Sequence, residues 1–147
     1  MAGETETGEI EITGEIEMER AAIVGTSLEV SRVALGTWAI GGWMWGGTEE
    51  AESIATIRAA VEHGINLIDT APAYGFGRSE EIVGKALAEG HLRSRALIAT
   101  KTGLEWSGGS VFRNASRART LQKSRIHCVG FGPITSTSTK FTGPTRW

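Results

Sequence analysis

Asp69, Tyr74 and Lys101 are the residues of this sequence whose types and positions suit proton transfer. Asp69 lies near the end of a short apolar run at 65–70, Tyr74 follows in the next loop, and Lys101 comes directly after a second run at 96–100. A further run at 33–37 leads into Trp38. If each run is a strand of a parallel sheet, the residues that follow them collect at the carboxyl ends of the strands, where the connecting loops converge on one face. An indole, a carboxylate, a phenol and an ammonium would then meet. A free phenol, with a pKa near ~10, is a reluctant acid at neutral pH. An ammonium beside it favours its ionised form, and a carboxylate paired with that ammonium holds it in place. Tyr74 is thereby expected to act as a general acid, with Lys101 supplying the field and Asp69 the geometry. The matching reaction is hydride delivery to a carbonyl carbon while the phenol protonates the oxygen. No protein side chain donates hydride, so a nicotinamide cofactor is implied. The sequence lacks a G-x-G-x-x-G, which argues against a Rossmann-type site for it.

The elements that must position these groups are legible as alternating strand and helix signals. After the run at 33–37, a Gly- and Trp-rich loop leads to Thr48, Glu49 and Glu50, a small polar cap followed by acidic first-turn residues that suit the positive end of a helix dipole. Ala51, Ile54, Ile57, Arg58 and Val61 make a mostly apolar stripe at helical spacing, closed by His63 and Gly64. The run at 65–70 follows as a buried strand. Ser79 is expected to start a second helix, with Glu80 and Glu81 in its first turn, Ile82, Val83, Ala86 and Leu87 on its apolar face, and Gly90 as its stop. The run at 96–100 is the third strand. Upstream, residues 8–30 alternate apolar and polar positions through Ile10, Ile12, Ile16 and Met18, as in an exposed strand or hairpin.

Composition limits the alternatives. The chain has 147 residues, 40% hydrophobic and 22% charged, as in soluble single domains. A net charge of −2 gives no reason to expect a nucleic-acid or anionic-membrane partner. No apolar run approaches the ~18 residues of a membrane span, and the acidic start lacks the order of a signal peptide, so a cytoplasmic protein is expected. The single Cys128 fits a reducing compartment. No metal-ligand spacing occurs, and no metal site is expected.

The stretch from residue 28 to about 116 resembles the aldo-keto reductases, through LEVSRVALGTWAIGG, GINLIDTAPAYGFGRSEEIVGKAL and ALIATKTG. The resemblance implies a partial TIM-type (β/α)8 barrel, about its first three βα units, preceded by an N-terminal hairpin. It divides the chain into an acidic arm and hairpin at 1–27, the partial barrel at 28–120 and a tail at 121–147. It also implies that Asp69, Tyr74 and Lys101 are three members of a catalytic tetrad, and that Thr37, Trp38 and Asp69 lie beside the nicotinamide of NADPH or NADP. The implied substrate is a small carbonyl or alcohol. Self-association through exposed barrel edges is a further expectation.

The tail departs from the family. No acidic residue follows Glu105, and LQKSRIHCVGFGPITSTSTKFTGPTRW shows Ser/Thr repeats without helical period. An irregular segment is expected there. One choice of synonymous codons for this stretch, read two nucleotides downstream, gives AKVEDSLRRLRTDYIDIYQVHWPDPL, which carries the family's histidine motif. A frameshift near Leu121, and with it a truncated barrel, is the expectation. The tetrad histidine would then be encoded across Phe141 and Thr142 in the other frame, and His127 is not its replacement. The competing reading is a catalytically inactive fragment or partner-dependent module.

Individual residues have plainer readings as well. Lys101 could be a solvated lysine, Asp69 a strand-end cap and Tyr74 a ring anchoring a turn. Trp43, Met44 and Trp45 line a pocket or plug a barrel mouth, with nothing in the sequence to choose. Gly75, Gly77 and Ser79 are better explained by a tight turn and helix cap than by an anion site. His63 and His91 belong at helix ends.

Overall fold

The computed structural model describes residues 17–46 and 48–130, with side chains up to 123. Ile10, Ile12 and Ile16 of the expected N-terminal alternation lie outside the described residues. A hairpin is nevertheless present: β1 (Arg20–Ala22) pairs antiparallel with β2 (Glu29–Ser31), Ala21 opposite Val30.

The central layer is a parallel sheet of three short strands, β3 (Leu35–Gly36), β4 (Leu67–Asp69) and β5 (Leu97–Ala99), adjacent in chain order. A helix joins each strand to the next, α1 (Glu50–Glu62) and then α2 (Arg78–Glu89). Sequential order with helical crossovers is the arrangement that builds a parallel barrel, whereas a doubly wound sheet reverses direction. The three expected strands and two expected helices are all present, each strand trimmed by one or more residues at its ends.

Burial explains why these segments take these forms. Ile68 and Ile98, from the middle of β4 and β5, join Ile57 and Val61 of α1 and Ile82, Val83, Ala86 and Leu87 of α2 in one apolar cluster. Each Ile, Val or Leu side chain among them contributes about 1.5–3 kcal/mol on leaving water. The helices are also tied to each other at the surface, Arg58 to Glu89 and Lys85 to Glu50, both at 2.6 Å. Exposed pairs of this kind set register more than stability.

Both helix starts differ from the sequence expectation. Glu49, not Thr48, occupies the cap of α1 and makes no side-chain cap bond. Thr48 instead donates to the Ile40 carbonyl at 3.2 Å and accepts from Ser53 at 3.0 Å, fastening the helix to the 3-10 turn Ala39–Gly41. At α2 the cap is Gly77, in the left-handed region, and Ser79 turns its hydroxyl into the core. A hydroxyl that finds buried partners there has no reason to cap.

Two elements were not foreseen. Strands β6 (Gly103–Ser107) and β7 (Ser110–Asn114) form a hairpin about Gly108 and Gly109, directly after the third parallel strand. Helix α3 (Arg117–Gly130) then occupies 121–130 of the segment expected to be irregular, the rest of which lies outside the described residues. Its opening turns dock on the hairpin, where Arg119 pairs with Glu105 and the Lys123 ammonium lies 4.9 Å from the Trp106 ring centre. These contacts, and good helix formers such as Arg117, Ala118, Leu121, Gln122 and Lys123, outweigh the lack of an apolar period. Among the described residues no helix is long and apolar enough to cross a membrane.

One close approach shapes the end of the sheet. Gly75 has φ +59°, and a Cβ there would lie 2.0 Å from the Gly41 carbonyl oxygen; at Gly41 it would lie 2.6 Å from the Tyr74 backbone. Gly36 has open space around it. Gly75→Ala is therefore expected to lower stability by more than the ~1–2 kcal/mol of a left-handed L-residue, because backbone must also move. Gly36→Ala is expected to stay within about 1 kcal/mol of wild type. Urea denaturation of the two variants checks this; equal losses would show that the contact is not a real constraint.

Candidate active site

Parallel register puts the strand ends level. Gly36 is paired with Asp69 and Asp69 with Ala99, so Trp38, Asp69 and Lys101 leave the sheet along one edge. Tyr74 joins them from the loop after β4. Its amide donates to the Ala71 carbonyl at 3.0 Å, and the left-handed Gly75 and Gly77 turn the chain into α2. The tight-turn reading of these glycines holds, while the cap assigned to Ser79 does not.

Lys101 is the centre of the cluster. Its ammonium donates to Asp69 Oδ1 and Oδ2 at 2.8 and 2.7 Å, to the Thr70 carbonyl at 3.1 Å and to Tyr74 Oη at 3.0 Å. Partial burial works against the charged amine, but the hydrogen bonds it donates to Asp69 and Tyr74 and the Asp69 charge outweigh it, and the Lys101 pKa lies above the ordinary lysine value. Tyr74 Oη accepts from Lys101, so its own proton is left for another acceptor, and none among the described residues takes it. The Trp38 ring stacks on Tyr74 with centres 5.7 Å apart and planes 11° from parallel, and Trp45 meets Trp38 edge-on at 5.8 Å.

The four expected side chains thus converge. Thr37 stands behind them: it is fully buried, and its hydroxyl donates to the Asp69 carbonyl at 3.1 Å. Trp38, 41% exposed, presents its ring to the open side.

Beside the cluster lies a cleft of about 320 Å³ whose walls include Trp38, Trp43, Tyr74, Lys101, Leu104 and Val111. Trp43 therefore faces the cleft, whereas Met44 is largely exposed. The wall of Leu104 and Val111 comes from the unforeseen hairpin; Gly108-Gly109 between alternating apolar positions was its sequence signal. An aromatic string, Trp43 to Phe76 at 5.4 Å and Phe76 to Trp106 at 6.1 Å, links that hairpin to the loop before α1. Thr102 lines the cleft, and its buried hydroxyl has no hydrogen-bond partner. His63 ends α1, its ring nitrogen 2.8 Å from the Ala59 carbonyl, and His91 follows α2 with positive φ. Neither reaches the cluster.

Comparison with known proteins gives this geometry a context. The model of the Aldo/keto reductase family matches residues 32–128. Aldo-keto reductase YhdN of Bacillus subtilis is 59% identical over 106 residues, covering 72% of this chain and 32% of that protein. An Escherichia coli protein named NADH-specific methylglyoxal reductase is 46% identical over 98 residues, covering 65% of this chain and 30% of its own length. Among solved structures, the glycerol dehydrogenase of Gluconobacter oxydans superposes with a TM-score of 0.65 at 49% identity, over 76% of this chain and 35% of that one. The chain thus spans about a third of the length of the curated relatives it matches. The family match reaches past Leu121, into the segment that the sequence had set apart as a tail. With sequence, family pattern and parallel α/β fold in agreement over most of the described residues, the chain belongs to the aldo/keto reductase family of oxidoreductases.

Proposed function

We propose that this chain carries the proton-donating half of an NADP(H)-dependent carbonyl reductase site, in which Tyr74 protonates the oxygen of an aldehyde or ketone. The observation that carries the reading is the 3.0 Å bond from the Lys101 ammonium to Tyr74 Oη, which leaves the phenolic proton unclaimed beside an apolar cleft. The residues present fit a nicotinamide ring: the Trp38 indole and Thr102, whose hydroxyl has no partner, border the same space, and Asp69 stands beside it through its bonds to Lys101. Trp38 and Asp69 would flank the ring, with Thr37 holding both from behind. When bound, the nicotinamide supplies the hydride.

The chain's own residues would act as follows. A carbonyl oxygen placed on Tyr74 Oη receives the phenolic proton as negative charge develops on it. The Lys101 ammonium, held by both oxygens of Asp69, stabilises the phenolate left behind without having to reorganise. Stacking by Trp38 fixes the phenol plane. Trp43, Leu104 and Val111 keep water from the carbonyl and suit a substrate with an apolar substituent. In the reverse direction the phenolate accepts the proton of an alcohol.

A second reading has its own support. Residues 121–147 contain no acidic residue and lack the family's histidine motif, which an alternative frame of the same stretch spells out. We infer that a frame change near Leu121 separates this tail from the family, although the family match itself runs on to residue 128. A chain so changed would be inactive alone, or would depend on a partner to cover the edges of the three-stranded sheet. The nucleotides of the gene decide the frame: codons that do not yield AKVEDSLRRL in the displaced frame would end this inference.

NADPH fluorescence titration of the purified chain, with NADH in parallel, tests the first reading. Saturable binding by wild type and by Tyr74→Phe is expected, with aldehyde turnover about 10²–10⁴-fold lower in the variant. Failure of both to bind would leave the second reading. The ion pair also has a pH signature. Because the folded-state pKa of Lys101 is raised, its contribution to stability is complete below the unfolded value of about 10.4 and is lost as pH rises through the folded value. The gap in urea midpoint between wild type and Lys101→Met is expected to hold steady from pH 7 to about 9 and to narrow above about 10.4. A gap that widens there would contradict the assignment.

A further inference from the structure

Three buried threonines stand level at the ends of the parallel strands: Thr37 beyond β3, Thr70 beyond β4 and Thr100 beyond β5, each 2% exposed or less. Each is the chain neighbour of a residue in the cluster, Thr37 of Trp38, Thr70 of Asp69 and Thr100 of Lys101. All three hydroxyls are held by the first turn of α2. Ser79 Oγ lies 2.7 Å from Thr37 Oγ1, 2.9 Å from the Thr37 carbonyl and 3.1 Å from Thr70 Oγ1. Thr100 donates to the Glu80 carboxylate at 2.7 Å. The Ser79 amide also donates to the Tyr74 carbonyl at 3.2 Å.

The protons fix a direction. Thr37 spends its hydroxyl proton on the Asp69 carbonyl, so it accepts from Ser79. Ser79 has one proton, given to Thr37, and must accept from Thr70. The hydroxyls therefore form one chain from Thr70 through Ser79 to Thr37 and the Asp69 carbonyl, with the Thr37 carbonyl as a second acceptor within reach of Ser79. Chains of this kind polarise one another and hold their members in one arrangement. The Thr70 carbonyl at the head of the relay is itself a partner of the Lys101 ammonium.

We propose that Ser79 is a positioning residue of this site: it touches no reacting atom, but its hydroxyl and amide fix Trp38, Asp69 and Tyr74 relative to one another. The kinetic consequence rests on the reductase reading above; the geometric one does not. Alanine at 79 would leave Thr37 without its donor and Thr70 without its acceptor, both out of reach of water. Threonine would force a methyl group into a position with no exposed surface. Cysteine keeps the volume with a weak donor.

Tyr74 is the single tyrosine of the chain, so 3-fluorotyrosine incorporation gives one fluorine NMR line that reports on the site without turnover. Ser79→Ala is compared with Val83→Ala, a fully buried truncation on the same helix outside the relay. The expected result is a displaced or broadened line in Ser79→Ala, an unmoved line in Val83→Ala, and Ser79→Cys in between. If Ser79→Ala loses stability while its line stays at the wild-type position, the serine is only a structural residue and the proposal fails. If the alanine variant does not fold, Ser79→Cys decides by the same criterion. Where the wild-type chain reduces aldehydes, kcat in the Ser79 variant should fall by about 10- to 100-fold with KM nearly unchanged. A chain that shows the line shift but no turnover would refute the reductase reading and keep this one.

Discussion

A half-exposed ammonium bonded to acceptors from two chain segments is the constraint on which the site depends. Lys101 loses part of its hydration and regains it from Asp69, Thr70 and Tyr74, which reach it only if β4 and β5 run parallel with Asp69 level with Ala99. A slip of one residue in that register would turn Asp69 to the other face of the sheet and strand the charge. The apolar cluster beneath therefore does more than stabilise: Ile68 and Ile98, the partners directly below the site, hold the register that the ammonium requires.

The second constraint is backbone against backbone. Tyr74 can reach the cluster because Gly75 and Gly41 approach without side chains, which brings the loop after β4 against the turn after β3. That same approach carries Trp38 over the phenol, and the string from Trp43 through Phe76 to Trp106 extends the aromatic contact to the hairpin that walls the cleft. Two glycines thus connect the placement of the phenol to the shape of the space it faces. Neither could be exchanged for a residue with a side chain without moving one of the two.

Much of this was legible in the residues. A short apolar run directly after Gly64 marks β4 and another at 96–100 marks β5, the apolar stripes of α1 and α2 give the buried faces, and placing Trp38, Asp69 and Lys101 at the ends of successive runs predicts their meeting at one edge. The helix caps were misread for a single reason. Thr48 and Ser79 have the residue type and position of caps, but tertiary partners were available to their hydroxyls, and those partners do not show in local spacing. The hairpin has a local signal, Gly108-Gly109 between the apolar positions Leu104 and Trp106 on one side and Val111 and Phe112 on the other. The relay through Ser79 was not legible at all, because its members are separated by 9 and 42 positions in the chain.

Helix α3 illustrates how far local propensity carries without a periodic pattern. An apolar stripe is needed when a helix must bury a face against a core, and the residues after Arg117 have none. They are instead held by charge: Arg119 on Glu105, the last acidic residue of the chain, and Lys123 over the Trp106 ring. Both anchors belong to the hairpin, and α3 also packs against α2. The start of α3 is thereby linked to the cleft wall through Trp106, Phe76 and Trp43. The Lys101 cluster and the cleft wall are thus held by different contacts.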